Sequence, residues 1–344
     1  MPVTESLPIA IQAHGLRKTF RVKNQAVEAV SGLDLMVAAG QIFGFLGPNG
    51  AGKTTTLRIL TTLLPADAGE AFVAGADVMR YPQQVRRRIG YVGQLGGADG
   101  SATGLENLLL QARLYGMTAA AAASRSEELI ELFDLGAFAS RIVRSYSGGQ
   151  RRRLEVALGI LHHPPVLFLD EPTTGLDPQN RANLWSQVRQ LRDSGTTVFL
   201  TTHYLDEADQ LSDRVAIIDR GRVIAEGTPA QLKQRYSGDT ISITPAGPPD
   251  RLESLERELA SIPFVRSTLI EDGSIRLAVT DATASMAAVF AMLADKGIAV
   301  RAAALAQPSL DDVFLHETGR SLRDSGGPPG GPATKRPAGE QVAA

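Results

Sequence analysis

The chain has 344 residues, which exceeds one average domain, so we expect a large domain together with something smaller. Its 35 Lys and Arg against 37 Asp and Glu give a net charge of −2, which disfavours a protein that gathers nucleic acid or anionic lipid through a general positive field. The absence of cysteine excludes disulfides, iron–sulfur clusters, thiolate zinc sites and thiol catalysis.

Neither a membrane span nor a secretory signal is expected. No apolar run approaches the roughly 18 residues that a spanning helix needs. The first ten residues contain Glu5 and two prolines, where a signal would carry positive charge and then a continuous apolar stretch. We therefore expect a cytoplasmic chain that does not cross a membrane by itself.

The opening segment predicts an antiparallel β subdomain. Strand-like pieces at Ile9–Ala13 and Val27–Leu35 are separated by polar turns at Lys23–Gln25 and Ser31–Gly32. After them, short apolar runs alternate with longer helical segments to about Arg235. This alternation is typical of an α/β domain with a central parallel sheet.

A phosphate-binding loop follows the strand Gln41–Leu46 and opens the helix Lys53–Leu64. The segment fits the pattern G-x-x-x-x-G-K-[ST], and the strand before it and the helix after it disfavour an ordinary glycine-rich turn. Glycines let backbone N–H groups surround a phosphate chain, and the helix N-terminus adds positive partial charge. Lys53 is expected to reach the β- and γ-phosphates and Thr54 to ligate Mg²⁺. The expected phosphate contacts are Gly47, Pro48, Asn49, Gly50, Ala51, Gly52, Lys53, Thr54 and Thr55.

Two acids end a later apolar strand. Val166–Leu169 leads directly into Asp170 and Glu171, at the carboxyl edge where open α/β sheets bind ligands. We expect Asp170 to hold Mg²⁺ through its water shell and Glu171 to polarise the attacking water as general base. Taken alone, this run also fits a strand that ends in a solvated turn.

The C-terminal third changes pattern. Between Thr240 and Ala304 the order is strand, helix, strand, hairpin, strand, helix, strand, which indicates a ferredoxin-like unit. A short helix follows Pro308, with one apolar face, and the Gly/Pro-rich end predicts a disordered tail. The predicted division is 1–236 for the large domain, 237–319 for a small α+β accessory domain that stabilises a dimer, and 320–344 for the tail. A small-molecule-binding role for the accessory domain is an alternative.

The sequence resembles the ATP-binding-cassette family. Ser147-Gly148-Gly149-Gln150, followed by Arg151-Arg152-Arg153, is similar to the family's signature loop. The order of phosphate loop, Gln94, signature loop, Asp170-Glu171, Asp177 and His203 matches the cassette pattern over residues 10 to about 230. The resemblance implies a RecA-like core with an antiparallel β subdomain and an α-helical subdomain.

The resemblance also implies roles for individual residues. Gln94 would sense Mg²⁺ and water, and the segment after it would couple to a partner. His203 would hold the γ-phosphate and Glu171 in place. Asp177 would lie at a dimer interface. Phe20 stands where the family has an aromatic residue that stacks on adenine.

The same resemblance implies an assembly. Ser147, Gly148, Gly149 and Gln150 would bind ATP held by the phosphate loop of a second copy, so that a homodimer encloses two MgATP. Three flanking segments, Thr202–Ala208, Gly221–Pro229 and Pro308–Leu315, resemble the ATP-binding subunits of daunorubicin-resistance exporters. That branch implies export of drugs or antibiotics through a separate membrane permease, at the cytoplasmic face of the membrane.

Two further observations concern nucleic acid. Arg86–Arg88 and Arg151–Arg153 lack interleaved aromatic residues, so they predict solvated helix faces and no nucleic-acid partner. A cassette ATPase that acts on ribosomes or DNA without a permease remains the alternative function. Such proteins usually carry two cassettes or a long coiled-coil insertion, and Leu95–Tyr146 contains no heptads.

Overall fold

A computed structural model describes residues 8–22, 25–236, 239–246, 252–271, 273–279, 282–306 and 309–322. Of the predicted tail, residues 320–322 are described, with Ser321 and Leu322 buried, and residues from 323 onward lie outside these ranges. The strands, in chain order, are β1 Ile9–Val22, β2 Gln25–Ala38, β3 Ile42–Leu46, β4 Ala68–Val73, β5 Ala76–Asp77, β6 Ile89–Val92, β7 Val166–Asp170, β8 Thr197–Thr202, β9 Arg214–Asp219, β10 Arg222–Gly227, β11 Asp239–Pro245, β12 Val265–Glu271, β13 Ser274–Val279 and β14 Val300–Ala306.

The α-helices, in chain order, are α1 Lys53–Leu60, α2 Pro82–Arg88, α3 Gly104–Leu114, α4 Ala119–Leu132, α5 Gly148–Gly159, α6 Pro178–Asp193, α7 Leu205–Leu211, α8 Pro229–Tyr236, α9 Leu252–Ala260, α10 Ala282–Asp295 and α11 Leu310–Thr318. Within the described part of the chain, none of these helices combines the length and apolar character needed to cross a membrane.

A six-stranded sheet in the order β10-β9-β3-β8-β7-β6 forms the centre of the large domain. The strands from β9 to β6 pair in parallel, and β10 is the antiparallel edge. β3, β7 and β8 are buried at every position because helices cover one face and α1 with the antiparallel sheet covers the other, which explains their unbroken apolar sequences. The predicted α/β class with a central parallel sheet is confirmed.

The predicted antiparallel subdomain is confirmed as a sheet in the order β2-β1-β4-β5. One detail of the prediction is wrong, because Ser31–Gly32 is not a turn between strands. β2 runs through it, and the register against β1 shifts there, with Leu33 opposite Leu16 and Ser31 opposite Arg17. Gly32 takes a φ of +71°, so the polar pair marks a β-bulge.

A helical subdomain is inserted between β6 and β7 and contains α3, α4 and α5. Its core includes Leu108, Leu129, Phe133 and Leu154. Capping explains where its helices begin: Thr103 forms a capping box at α3, Thr118 caps α4, and Ser147 forms a capping box at α5.

The C-terminal sheet has the order β12-β13-β11-β14, and all its neighbours are antiparallel. With α9 and α10 as the two crossovers, this is the ferredoxin-like arrangement that the element order predicts. Its own core includes Ile241, Leu259, Leu277 and Val289.

The final helix, α11, packs on the large domain. Leu310, Val313 and Phe314 are buried in one cluster with Leu46 and Leu232 of the cassette core. On its other side Asp312 pairs with Arg276 of β13 at 3.0 Å. The apolar face of α11 therefore belongs to the large domain's core, although the sequence places this helix with the accessory domain.

Candidate functional site

The phosphate loop, Gly47–Thr54, leaves β3 at the carboxyl edge of the central sheet. Gly47 N donates to Thr202 O of the neighbouring β8 at 3.2 Å. Gly52 takes a φ of +106°, and a Cβ there would lie 2.3 Å from Ala29 O. No other residue fits that position without moving the backbone. α1 begins at Lys53, so its free N–H groups face the loop.

Lys53 lies at the centre of this loop with its side chain 4% exposed. Its Nζ donates to Gly47 O at 2.8 Å and to Pro48 O at 3.1 Å, and lies 3.4 Å from Glu171 Oε1. Burial lowers the pKa of Lys53, and the neighbouring Glu171 and Asp170 carboxylates oppose that shift. The structure thus brings the cation of the loop into contact with Glu171, directly after β7, and near enough to Asp170 for its charge to act on Lys53.

Asp170 is buried and held by two hydroxyl groups. Thr54 Oγ1 donates to Asp170 Oδ1 at 3.2 Å, and Thr201 Oγ1 donates to the same oxygen at 2.6 Å. A hydroxyl and a carboxylate at this spacing are hard oxygen donors of the kind that Mg²⁺ prefers. Gln94 is exposed and lines one cleft together with Asp170.

Glu171 leaves the strand direction. Its φ is +46°, and its N–H donates to Thr201 O at 3.1 Å and to Thr201 Oγ1 at 3.0 Å. This left-handed conformation is uncommon for a residue other than glycine, and it is typical of sites where the surrounding structure fixes a functional group. The side chain consequently meets Lys53 on one oxygen and His203 on the other, with Nδ1 of His203 3.3 Å from Oε2.

The charge of Glu171 reflects two opposing effects. Burial raises its pKa, but the adjacent His203 and Lys53 outweigh burial and hold the pKa below its ordinary value. The carboxylate is therefore ionised at neutral pH, as a general base must be.

The signature loop, Ser147–Gln150, forms the N-terminus of α5, with Ser147 and Gly148 exposed and Gly149 buried. Ser147 Oγ accepts from Gln150 N at 3.2 Å, and Gln150 Oε1 accepts from Ser147 N at 3.0 Å. Gly149 packs so closely on Asn180 that a Cβ would overlap the Asn180 side chain. Asp177, which caps α6, accepts from Asn180 N at 2.9 Å. The loop and Asp177 therefore share one face.

The predicted site residues thus fall into separate groups. Lys53, Thr54, Asp170, Glu171 and His203 meet at the sheet edge. Among the described residues, no hydrogen bond or ion pair joins the signature loop to the phosphate loop of the same chain. Phe20 lies apart on β1, 37% exposed, with Lys18 Nζ 5.8 Å from its ring centroid.

Sequence reasoning missed two residues that organise this region. Thr201 Oγ1 donates to Asp170 and accepts from the Glu171 N–H. Its position in β8, two residues before His203, could have identified it in the sequence as a site residue. The prediction of a solvated face for Arg151–Arg153 is wrong at Arg152, which is 8% exposed, and at Arg153, which is 12% exposed. Arg152 donates to backbone carbonyls beside the site, and nothing in the neighbouring sequence indicates that its side chain is buried.

The fold and this edge define a phosphate-loop NTPase of the cassette type. Two family models match the chain: one described as ABC transporter over residues 30–174, and one described as ATP-binding protein DrrA1-3-like, C-terminal domain, over residues 227–318. The chain belongs to the ATP-binding subunits of ABC transporters, in the branch of the daunorubicin-resistance proteins, and is an ATPase.

Relatives and a solved structure agree with this assignment. Daunorubicin resistance ATP-binding protein DrrA3 of Streptomyces coeruleorubidus is 47% identical over 91% of this chain and 97% of its own length. Daunorubicin/doxorubicin resistance ATP-binding protein DrrA of Streptomyces peucetius is 46% identical over 92% and 94%. A dimeric post-hydrolysis ATP-binding cassette bound to ADP and Pi matches with a TM-score of 0.59 at 25% identity, over 63% of this chain and 98% of that one. A cassette that acts on ribosomes or DNA is not favoured by these relatives.

Proposed function

We propose that this chain, as a homodimer enclosing two MgATP, powers a separate permease that exports drugs or antibiotics. The observation that carries the ATPase chemistry is the contact of Glu171 with both Lys53 and His203 at the edge of the sheet. The names of the relatives, which refer to daunorubicin and doxorubicin, support the class of cargo.

Phosphate binding falls to the loop and to α1. Backbone N–H groups of Gly50–Gly52 and Lys53 surround the β- and γ-phosphates, and Lys53 Nζ exchanges its carbonyl contacts for phosphate oxygens. The low exposure of Lys53 strengthens that interaction, because little water screens it. The Phe20 ring supplies a face for adenine, at the exposed surface of β1.

The oxygen donors next to the loop fit Mg²⁺. Within the described ranges no group of three or more His, Asp or Glu side chains forms a metal cluster. Phosphate oxygens of the nucleotide and water would supply the remaining oxygen donors that Mg²⁺ prefers. Thr54 Oγ1 and Asp170 would hold Mg²⁺, the first as a ligand and the second through bound water, and Gln94 lines the same cleft as Asp170. When bound there, Mg²⁺ would neutralise charge on the transferred phosphoryl group.

Glu171 accepts a proton from the attacking water, and His203 fixes its carboxylate. The ion pair between Lys53 and Glu171 keeps that carboxylate charged before nucleotide binds. His203, directly after β8, contacts Glu171 and lines a cleft with Pro48 and Asn49 of the phosphate loop, where it would reach the γ-phosphate. General-base assistance of this kind contributes about 10²–10⁴-fold to a rate.

A second copy completes each site. Ser147 and Gly148 are exposed, and the capping box uses the N–H groups of Ser147 and Gln150, so the N–H groups of Gly148 and Gly149 and the Ser147 hydroxyl are the groups that would meet the γ-phosphate of the partner's ATP. Asp177 on the same face contributes to the interface. The similarity to a dimeric cassette supports this arrangement.

The permease docks beside Gln94. A cleft of about 460 Å³ opens there, and its lining includes Gln94, Leu95, Gly96 and Tyr115. Leu95 is 93% exposed, and Leu114 is 74% exposed on α3. Large apolar side chains in this position offer a surface for a protein partner. Docking places the chain at the cytoplasmic face of the membrane.

The experiment is co-expression of the chain with its permease in a drug-sensitive host. We expect the wild-type chain to co-purify with the membrane fraction and to lower daunorubicin accumulation. Leu95→Asp should lose both effects while the isolated subunit keeps its ATPase rate, and Leu63→Asp, at another exposed leucine, serves as the matched control. A chain that sediments with ribosomes and leaves drug accumulation unchanged overturns the proposal.

A further inference from the structure

Arg152 is a buried cation of α5 that the nucleotide site described above does not use. Its guanidinium is surrounded by acceptors on three different segments. The contacts are Nη1 to Gly93 O at 2.7 Å, Nε to Pro172 O at 2.9 Å, Nη2 to Asp170 O at 3.2 Å and Nη1 to Glu155 Oε2 at 3.2 Å. One side chain thereby links α5 to the backbone after β6 and after β7.

These carbonyls lie next to the groups that act on ATP and Mg²⁺. Gly93 immediately precedes Gln94, while Asp170 and Pro172 flank Glu171. A shift of α5 therefore pulls on the backbone at both positions. The N-terminus of the same helix carries Ser147, which is the contact to the second copy's ATP in the proposed dimer.

Glu155 gives an independent contact between α5 and the segment after Gln94. Its side chain is 6% exposed and pairs with Arg151 at 3.0 Å as well as with Arg152. Gly96 has a φ of +69°, and a Cβ at this position would overlap the Glu155 carboxylate. The backbone on both sides of Gln94 is thus packed against this helix.

We propose that Arg152 is a positioning residue that couples the signature helix α5 to Gln94 and Glu171 of its own chain. Engagement of Ser147 with ATP on the second copy then aligns the general base and the Mg²⁺-sensing amide here. The inference rests on the proposed ATP-enclosing dimer. A planar guanidinium suits the role because its N–H groups have a fixed geometry, whereas a lysine offers a single flexible ammonium.

The test compares Arg152→Met and Arg152→Lys with the wild-type full chain. We expect kcat for ATP hydrolysis to fall by about 10- to 100-fold in Arg152→Met, because misplaced catalytic groups cost that much. KM and the Kd of a fluorescent ATP analogue should stay within about twofold, since Arg152 does not contact the phosphate loop. Arg152→Lys should recover part of kcat. Hydrogen exchange should accelerate in residues 93–97 and 170–174.

Arg153→Met is the matched control. Arg153 lies on the same helix, is 12% exposed, and donates to Phe133 O and Asp134 O of the helical subdomain. Its loss should leave kcat and the exchange of residues 93–97 unchanged. Wild-type kcat and exchange in Arg152→Met overturn the inference, as does an equal loss in Arg153→Met. If Arg152→Met does not fold, kcat and hydrogen exchange are measured in Arg152→Lys instead, and wild-type values of both would overturn the inference. Absence of hydrolysis by the wild type contradicts the proposed function instead.

Discussion

Glu171 shows at the scale of one residue how neighbouring charges decide a protonation state. Burial favours the neutral acid, yet Lys53 and His203 lower its pKa overall. The free energy that ionised Glu171 contributes to folding is present above its ordinary pKa and is lost as pH falls through the lowered value. The same contacts hold the carboxylate where the attacking water is expected.

Replacing Glu171 by Gln should trap the dimer. The amide keeps the size of the side chain but does not accept the proton, so we expect ATP binding to continue while kcat falls by about 10²-fold or more. Size-exclusion chromatography with ATP and Mg²⁺ should then show a stable dimer, and ADP should not produce one. Only monomer under these conditions would contradict the ATP-enclosing assembly.

Glu207 is a second carboxyl group whose protonation state is set by burial. It is fully buried on α7, and its Oε1 accepts from Trp185 Nε1 at 3.0 Å. Burial raises its pKa, and the weaker opposing effects of its hydrogen bonds and of Arg181 do not cancel that shift. The folded protein therefore retains a proton here at pH values where the unfolded chain has released it.

Linkage gives the sign of the resulting pH effect. Since the native state binds the proton more tightly, Glu207 makes the free energy of unfolding fall as pH rises from its ordinary pKa to its raised pKa, by at most ~1.4 kcal/mol per pH unit. Glu207→Gln should remove this slope while keeping an acceptor for Trp185. Urea unfolding from pH 4.5 to 8 measures the difference between the two proteins, and a constant difference would show that Glu207 is not protonated in the native state.

Some residues of the site can be predicted from the surrounding sequence, and others cannot. Lys53 and Thr54 are predictable because a phosphate loop has a fixed spacing, and Glu171 because it follows an apolar strand. Arg152 is not predictable in this way. Apart from Glu155, its partners are backbone carbonyls from segments distant in the chain, and carbonyls carry no sequence signal.

Among the elements, α11 is the one whose place the sequence does not determine. The spacing of Leu310, Val313 and Phe314 predicts an amphipathic helix, and the helix is present. An apolar face fits any complementary surface, however, and only the fold shows that α8 and α7 provide it. The buried strands of the central sheet are predictable because a strand that is covered on both faces needs apolar residues at every position, and these appear in the sequence as an unbroken apolar run.

Phe314→Ala should test how strongly α11 is attached. Phe314 is fully buried among cassette residues, so truncation should cost about 3–5 kcal/mol in the free energy of unfolding. Urea titration of the full chain measures the loss. His316→Ala, at a side chain that is 56% exposed on the same helix, should change stability by less than about 0.5 kcal/mol. Equal losses of unfolding free energy in the two variants would show that the apolar face of α11 is not part of the cassette core.

At the scale of the whole molecule, α11 connects two units that the sequence divides at Tyr236. Its apolar face completes the cassette core, and Asp312 pairs with Arg276 of the ferredoxin-like sheet. Removing residues 237–344 therefore takes away part of the cassette core together with the accessory sheet. Such a deletion does not isolate the role of the sheet.

A deletion that keeps α11 separates the two contributions. We propose that the ferredoxin-like sheet stabilises the dimer, so replacing residues 239–308 by a flexible Gly/Ser linker to Ser309 should preserve the cassette's melting temperature and its ATP affinity. In the Glu171→Gln background the variant should dissociate more readily in ATP, as analytical ultracentrifugation can measure. Deleting 237–344 should instead lower the melting temperature, because the surfaces of α7 and α8 that α11 covers become exposed. Unchanged dimerisation of the linker variant would exclude a role of the sheet in assembly and leave α11 as the part of the C-terminal third that the cassette requires.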